Sequence, residues 1–324
     1  MKKIEKILIF KTGYAETLAE QTDSRVVSLG DVLRTTVLLN LYSDKSKFDV
    51  TWVTDEKAFP LLEKNDYIDR LLRLDWITME QLKKERFDIL INLEKVPGIC
   101  VLADNISARI KLGFTFNPET RKAEPYDKAA EALLVSTDPE AKKQNNRLLQ
   151  EILYDIIGEK WNGEEYILGY KPKTDIKFDV GLNNIAGQKW PTKSWSEENW
   201  KKLEIMLREK GISVDRQDTE ENKNKGILTS LNCYMDWINS CKIIVSIDSL
   251  GVHLALALKK KTICLFGPTP SNEVYFYGLG KAILPDKSQD CIPCFKAVCD
   301  SERNCMRDIP VEKVYEEVIK MLNS

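Results

Sequence analysis

Lys242–Ile247 (KIIVSI), the loop Asp248-Ser249-Leu250-Gly251-Val252-His253, the helical run Val252–Leu258 (VHLALAL) and Thr262–Thr269 (TICLFGPT) form the stretch that decides the fold. An unbroken apolar run of six or so residues reads as a strand covered on both faces, the signature of parallel sheet. The short apolar helix that follows and the second strand complete a strand–helix–strand unit. The polar loop between them leaves backbone N–H groups unpaired at a helix start, where the helix dipole adds partial positive charge, and this suits a phosphate. Ser249 can cap the helix, Gly251 permits close backbone approach, and His253, the only histidine in the chain, can donate to an oxygen. The same residues also read as an ordinary capped helix start with a core histidine, and the loop alone does not separate the two.

Working outward, strand and helix alternate through most of the 324 residues. In the first half, strands are expected at Ile4–Phe10, Phe48–Val53, Ile68–Arg73 and Phe87–Leu93. Helices are expected at Asp31–Tyr42, near Glu56–Glu63, at Thr78–Glu85, Tyr126–Leu134 and Glu140–Ile157. Periodicity lapses over Trp161–Lys173 (WNGEEYILGYKPK), which marks a domain boundary. Alternation resumes with a strand at Phe178–Leu182, a helix at Glu197–Lys210, a strand at Ile212–Asp215, a helix at Thr229–Ser240 and a final helix at Val311–Leu322. The expected organisation is α/β: two Rossmann-like domains, residues 1–168 and 169–324, facing a central cleft with ligands at the carboxyl ends of the strands.

Composition narrows the function. A hydrophobic fraction of 43% with 30% charged residues describes a soluble globule, and a net charge of −2 lacks the basic excess of a nucleic-acid binder. No apolar run reaches the roughly 18 residues of a membrane helix, and the apolar stretch in MKKIEKILIF is too short for a signal peptide. A cytoplasmic protein is expected.

Two further segments carry chemistry. Ser28–Thr36 (SLGDVLRTT) opens the first long helix: Gly30 allows a tight approach, and Asp31 suits the helix dipole or serves as a general base, with Arg34 one turn on. Asn183–Trp195 (NNIAGQKWPTKSW) follows the first strand of the second half and offers Lys189 as a phosphate counter-charge, with Trp190-Pro191 as rigid apolar support. Of eight cysteines, Cys100, Cys233, Cys241 and Cys264 sit in apolar or helical surroundings. Cys291, Cys294, Cys299 and Cys305 crowd into fifteen positions, a spacing open to a structural Zn²⁺ or iron site, to two disulfides or to free thiols.

Taken in order, Gly30-Asp31-Val32, Arg109–Phe114 (RIKLGF), Lys189-Trp190-Pro191, Asp248–His253 and Phe266-Gly267-Pro268-Thr269 resemble glycosyltransferase family 9, the lipopolysaccharide heptosyltransferases that use ADP-heptose. The resemblance spans nearly the whole chain and implies the two-domain GT-B fold, with an N-terminal acceptor-binding and a C-terminal nucleotide-sugar-binding domain. It implies that Asp31 is the general base, that Gly30 and Arg34 lie on the acceptor side, and that Lys189 binds the diphosphate. Asn184, Asp248, Ser249, Gly251 and His253 belong to its donor side. An inverting transfer from an ADP-sugar to a glycolipid or glycan acceptor follows, with no catalytic cofactor, since no Asp-x-Asp pair stands ready for Mg²⁺. Cys291-Ile292-Pro293-Cys294-Phe295-Lys296 also fits the resemblance, as a structural site. A peripheral contact with the inner face of the inner membrane is compatible with such an acceptor.

The chain departs from the pattern at Gly13–Val27, inserted before Gly30-Asp31 and readable as a flap or a loop. It also departs at Asp215–Asn224, which lacks a glycine pair and leaves Glu220 or Glu221 to reach a ribose, and at Leu250, where the pattern often has Gly. A nucleotide-sugar 2-epimerase shares the architecture but calls for more cleft acids and histidines. A non-enzymatic nucleotide- or metal-binding module would leave Asp31 purely structural.

Overall fold

The computed structural model describes residues 3–14, 27–187, 190–286, 290–299 and 304–324. It divides into two compact units, Met1–Tyr170 and Lys171–Ser324.

In the first unit, strands β1 (Glu5–Phe10), β2 (Phe48–Thr54), β3 (Arg70–Arg73), β4 (Arg86–Asn92), β5 (Ser107–Asn117) and β6 (Lys122–Pro125) form one sheet in the order β3-β2-β1-β4-β5-β6. All pairs are parallel except β5 with β6. The order reverses between β1 and β4, and in open α/β sheets ligands bind beyond the carboxyl ends of the strands at such a point. Leu8, Phe10, Val53, Leu90 and Ile99 join one buried cluster on this sheet.

Two helices differ from their expected form, each for a local reason. The segment expected as a helix over Asp31–Tyr42 is α-helical only at Leu29–Thr35 and winds into a 3₁₀ turn over Thr36–Tyr42. Here the Thr35 and Thr36 hydroxyls donate back to the Val32 and Leu33 carbonyls at 2.7 and 2.6 Å, competing for the acceptors of the regular helix. The expected helix Glu140–Ile157 breaks into Pro139–Gln144 and Leu149–Ile157. Asn145 turns the chain between them, its side chain accepting from Arg147 N and donating to Arg147 O, both at 3.0 Å. The β5–β6 hairpin was not expected: its β5 burial alternates weakly and carries little periodic signal.

In the second unit, β7 (Phe178–Asn183), β8 (Val214–Arg216), β9 (Cys241–Ile247), β10 (Lys261–Leu265) and β11 (Gly280–Ile283) form a wholly parallel sheet, ordered β11-β10-β9-β7-β8. The reversal lies between β7 and β9. Six of the seven β9 residues are buried, as the unbroken apolar run requires. Helix Leu250–Ala257 is apolar on every side and is itself buried over Gly251–Leu256. Helices Glu197–Glu209 and Val311–Asn323 lay apolar stripes on the other face, with Trp200, Leu203, Leu207, Val314 and Val318 in one core.

Trp200 is 1% exposed and meets Trp195 edge to face at 4.9 Å between centroids. The Trp195 indole in turn donates to Ile309 O at 3.2 Å. This pair fixes the end of the 190–195 loop to the core. Trp200→Ala should therefore lower stability by roughly 3–5 kcal/mol, read as a fall in the chemical denaturation midpoint.

Candidate functional site

The second unit gathers its polar groups where its sheet reverses. Asn183, the last residue of β7, is fully buried. Its amide donates to Ser246 Oγ at 2.7 Å and Ser249 Oγ at 2.9 Å, and its oxygen accepts from the Tyr234 hydroxyl at 2.6 Å. One side chain thus ties the ends of β7 and β9 to the following loop. Ser249 caps helix Leu250–Ala257, its Oγ accepting from Gly251 N at 3.3 Å. A Cβ at position 251 would overlap the Asn183 amide and stand 2.5 Å from the Tyr234 hydroxyl, so only glycine fits this crossing.

Asp248, just beyond β9, accepts from Lys193 Nζ at 2.6 Å and from Thr269 Oγ1 at 2.7 Å. Both side chains of the ion pair are 15% exposed. Burial works to raise the Asp248 carboxyl, but the Lys193 charge, the two hydrogen bonds and the nearby His253 outweigh it and hold it at about 2. Lys193 also lies 5.7 Å above the Trp190 ring. His253 is 5% exposed, one turn inside the helix that Ser249 caps. The result is an ammonium held by a carboxylate, beside a capped helix start and an imidazole: a cationic seat with its counter-charge built in.

Of the residues expected on the donor side, the structure brings together Asp248, Ser249, Gly251 and His253. Lys189 lies outside the described residues. Asn184 points elsewhere, donating to Asp218 Oδ2 at 2.9 Å, and Asp218 is itself gripped by Arg216. Glu220 and Glu221 are exposed and pair with Lys223 and Lys225 on their own helix. Sequence reasoning missed Asn183 and Lys193. Their signals were position: Asn183 ends the strand, and Lys193 is the lysine of that loop nearer the Ser196 cap.

The cysteine-bearing loop braces this site. Thr192 Oγ1 donates to Lys296 O at 2.6 Å, Phe295 N donates to Pro268 O at 2.9 Å, and the Cys305 and Met306 side chains fill the space beside Gly267. All four cysteines are free thiols. Among the described residues, no group of three or more His, Cys, Asp or Glu side chains is placed to hold a metal ion. Burial and then the neighbouring Cys294, Cys291 and Cys299 push the Cys305 thiol up to about 11.

In the first unit, the sheet reverses at the ends of β1 and β4. Glu94, two residues past β4, is fully buried. Its Oε1 accepts from Thr12 N at 2.8 Å and Gly13 N at 3.0 Å, and faces Lys11 Nζ at 3.2 Å. Gly13 adopts φ +84°, and its carbonyl accepts from Ser28 N at 2.6 Å. That bond delivers the chain to helix Leu29–Thr35, whose first turn carries Gly30 and Asp31. The Asp31 side chain is 48% exposed, with Arg34 Nη1 3.8 Å away on the same helix. Burial opposes ionisation, yet Lys11, Arg34, a Ser28 hydrogen bond and Lys142 together hold the Asp31 carboxyl well below the usual range. The structure thus brings Asp31 and Arg34 together and adds Lys11 and Glu94, which sequence reading passed over. The insertion at 13–27 is closed at its base by a Tyr14–Val27 bridge, and its residues 15–26 lie outside the described ones.

Among the described residues, no helix is long and apolar enough to cross a membrane. The family model for glycosyltransferase family 9 (heptosyltransferase) matches residues 76–304. Lipooligosaccharide heptosyltransferase 2 of Campylobacter jejuni is 29% identical over 117 residues, a match spanning 36% of this chain and 34% of that relative. The chain therefore aligns with about a third of that curated relative's length. A family 9 glycosyltransferase from Veillonella parvula has the same fold, with a TM-score of 0.70 at 18% identity, covering 100% of this chain and 99% of the other. E. coli heptosyltransferase WaaC with ADP follows, with a TM-score of 0.64 at 15% identity over 98% and 99% of the two chains. With most of its length matched by the family model and its fold shared by solved members, this chain belongs to glycosyltransferase family 9, the heptosyltransferases.

Proposed function

We propose that the protein is a heptosyltransferase that moves a heptosyl group from ADP-heptose to a lipopolysaccharide-type glycolipid acceptor. In this reading the second unit binds the donor and the first unit the acceptor. The observation that carries it is the Lys193–Asp248–Thr269 cluster at the sheet reversal, beside a capped helix start, within the stretch matched by the family model. The ADP held by WaaC and the names of the curated heptosyltransferases point to the same donor and acceptor. A cytoplasmic protein touching the inner face of the inner membrane at its acceptor fits this role.

The chemistry runs as follows. Asp31 takes the proton of an acceptor hydroxyl, whose oxygen forms the new bond to the anomeric carbon. ADP departs from the opposite face, with inversion, carrying the electron pair of the broken C–O bond on its β-phosphate. Negative charge grows on that phosphate, and the Lys193 ammonium, the helix N-terminus and the His253 imidazole are the groups that receive it. These cationic and N–H donors supply the charge that Mg²⁺ supplies in metal-dependent transfer, which supports a metal-free reaction. Asp248 orients the ammonium and limits its repulsion of other cations, leaving its remaining N–H groups for the phosphate. Lys189, on the same loop, is a second candidate for that contact.

Asp31→Asn should cut kcat by roughly 10²–10⁴-fold, with ADP affinity by calorimetry unchanged; retained turnover would remove Asp31 as the base. Because the Asp31 carboxyl is depressed, its basic form persists as pH falls, so kcat should not decline between about pH 8 and pH 5 on its account. A pH–rate profile checks this. Lys193→Ala should weaken ADP binding by at least about tenfold, and the parallel Lys189→Ala variant measures the share of the second lysine. Calorimetry showing unchanged ADP affinity for both would overturn the donor seat.

A further inference from the structure

A base held so acidic gains from a neighbour that controls its charge, and the first unit carries one. Glu94 Oε1 collects three donors: Thr12 N, Gly13 N and Lys11 Nζ. Its second oxygen is buried with no hydrogen-bond partner among the described residues. A fully buried carboxylate is costly unless its charge is matched, and Lys11, whose side chain is 11% exposed, is the cation at contact distance. The same carboxylate fixes the turn at Gly13, whose carbonyl accepts from Ser28 N and which packs against Val32 and Ser28. Val32 follows Asp31 on the helix, and Ser28 is the N-cap of that helix. Glu94 is thus linked to Asp31 twice, through the Lys11 charge and through the Gly13–Ser28 backbone bond.

We infer that Glu94 and Lys11 are positioning residues for Asp31, with the buried carboxylate holding the Lys11–Gly13 turn so that the ammonium and the first helical turn keep a fixed relation to the base. This rests on the reading of Asp31 as the base. The charged groups acting on Asp31 are Lys11, Arg34 and Lys142. Those facing Glu94 are Lys11 and the Tyr14 hydroxyl. Within this set, Lys11 alone acts on both acids. Removing the Glu94 charge leaves the Lys11 ammonium unbalanced beside Asp31, which weakens the base. Removing Lys11 takes away one of the charges that keep Asp31 ionised, so its titration moves up.

The test uses the full-length protein and its Glu94→Gln, Lys11→Met and Lys11→Arg variants. Glu94→Gln should lower kcat by roughly tenfold or more with the KM for ADP-heptose unchanged. Lys11→Met should raise the Asp31 titration, followed by carbon-13 NMR of the carboxyl and assigned by its loss in Asp31→Asn. Lys11→Arg, which keeps the charge, should leave that titration in place. The inference is overturned if Lys11→Met leaves the Asp31 titration unmoved, or if Glu94→Gln lowers the melting temperature while kcat and KM stay as in the parent. The NMR arm needs no turnover. A parent protein that transfers no heptose therefore fails the transferase reading alone, while the Asp31–Lys11 coupling still stands or falls on its own measurement.

Discussion

A lysine facing a buried carboxylate across the point where a parallel sheet reverses is the arrangement on which both units depend. In the first unit Lys11 leaves β1 and meets Glu94 beyond β4. In the second, Lys193 follows β7 and meets Asp248 beyond β9. At such a point the two flanking connections run to opposite faces, and the gap between strand ends is lined by loops rather than by a crossing helix. A carboxylate there is removed from water and survives only if surrounded by donors. Backbone N–H groups supply part of that demand for Glu94, and a threonine hydroxyl does so for Asp248. In each case the lysine supplies the charge.

The two pairs differ in what they leave over. Glu94 is sealed, its charge spent on ordering a turn that is itself stapled to the helix bearing Asp31. Asp248 is partly open, and its lysine retains N–H groups that the carboxylate does not use. The first arrangement suits a structural brace next to a base, the second a seat for an anion. Asn183 and Gly251 add rigidity to the seat: the amide spans two strand ends and the cap, and the missing side chain lets the helix start approach it. An anion arriving there meets donors already in place, which reduces the reorganisation that its binding requires.

Much of this was legible in the sequence. The apolar runs of β1, β7 and β9 announced parallel strands, and the Asp248–His253 loop announced a helix start because cap, glycine and apolar helix occur in order. Asp31 was visible as an acid in a first helical turn. Glu94 was not, because a buried acid after a strand looks in sequence like any polar residue ending a sheet, and only the fold reveals that Thr12, Gly13 and Lys11 converge on it. Lys193 was passed over because two lysines four residues apart on one loop are equivalent in sequence, and only the fold shows that Lys193 meets Asp248. The cysteine spacing was open to a metal, to disulfides or to free thiols, and it carried no information on burial: Cys305 packs into the core beside Gly267 while Cys291 and Cys299 stay exposed.

The lone histidine has a practical corollary. Its ring sits one turn into the helix that Ser249 caps, within electrostatic reach of Asp248. A proton spectrum of this protein is expected to carry the imidazole resonances of that one residue. Under the proposed function, the molecule contains its own spectroscopic probe of nucleotide loading, unlabelled and free of overlap from any second ring of its kind.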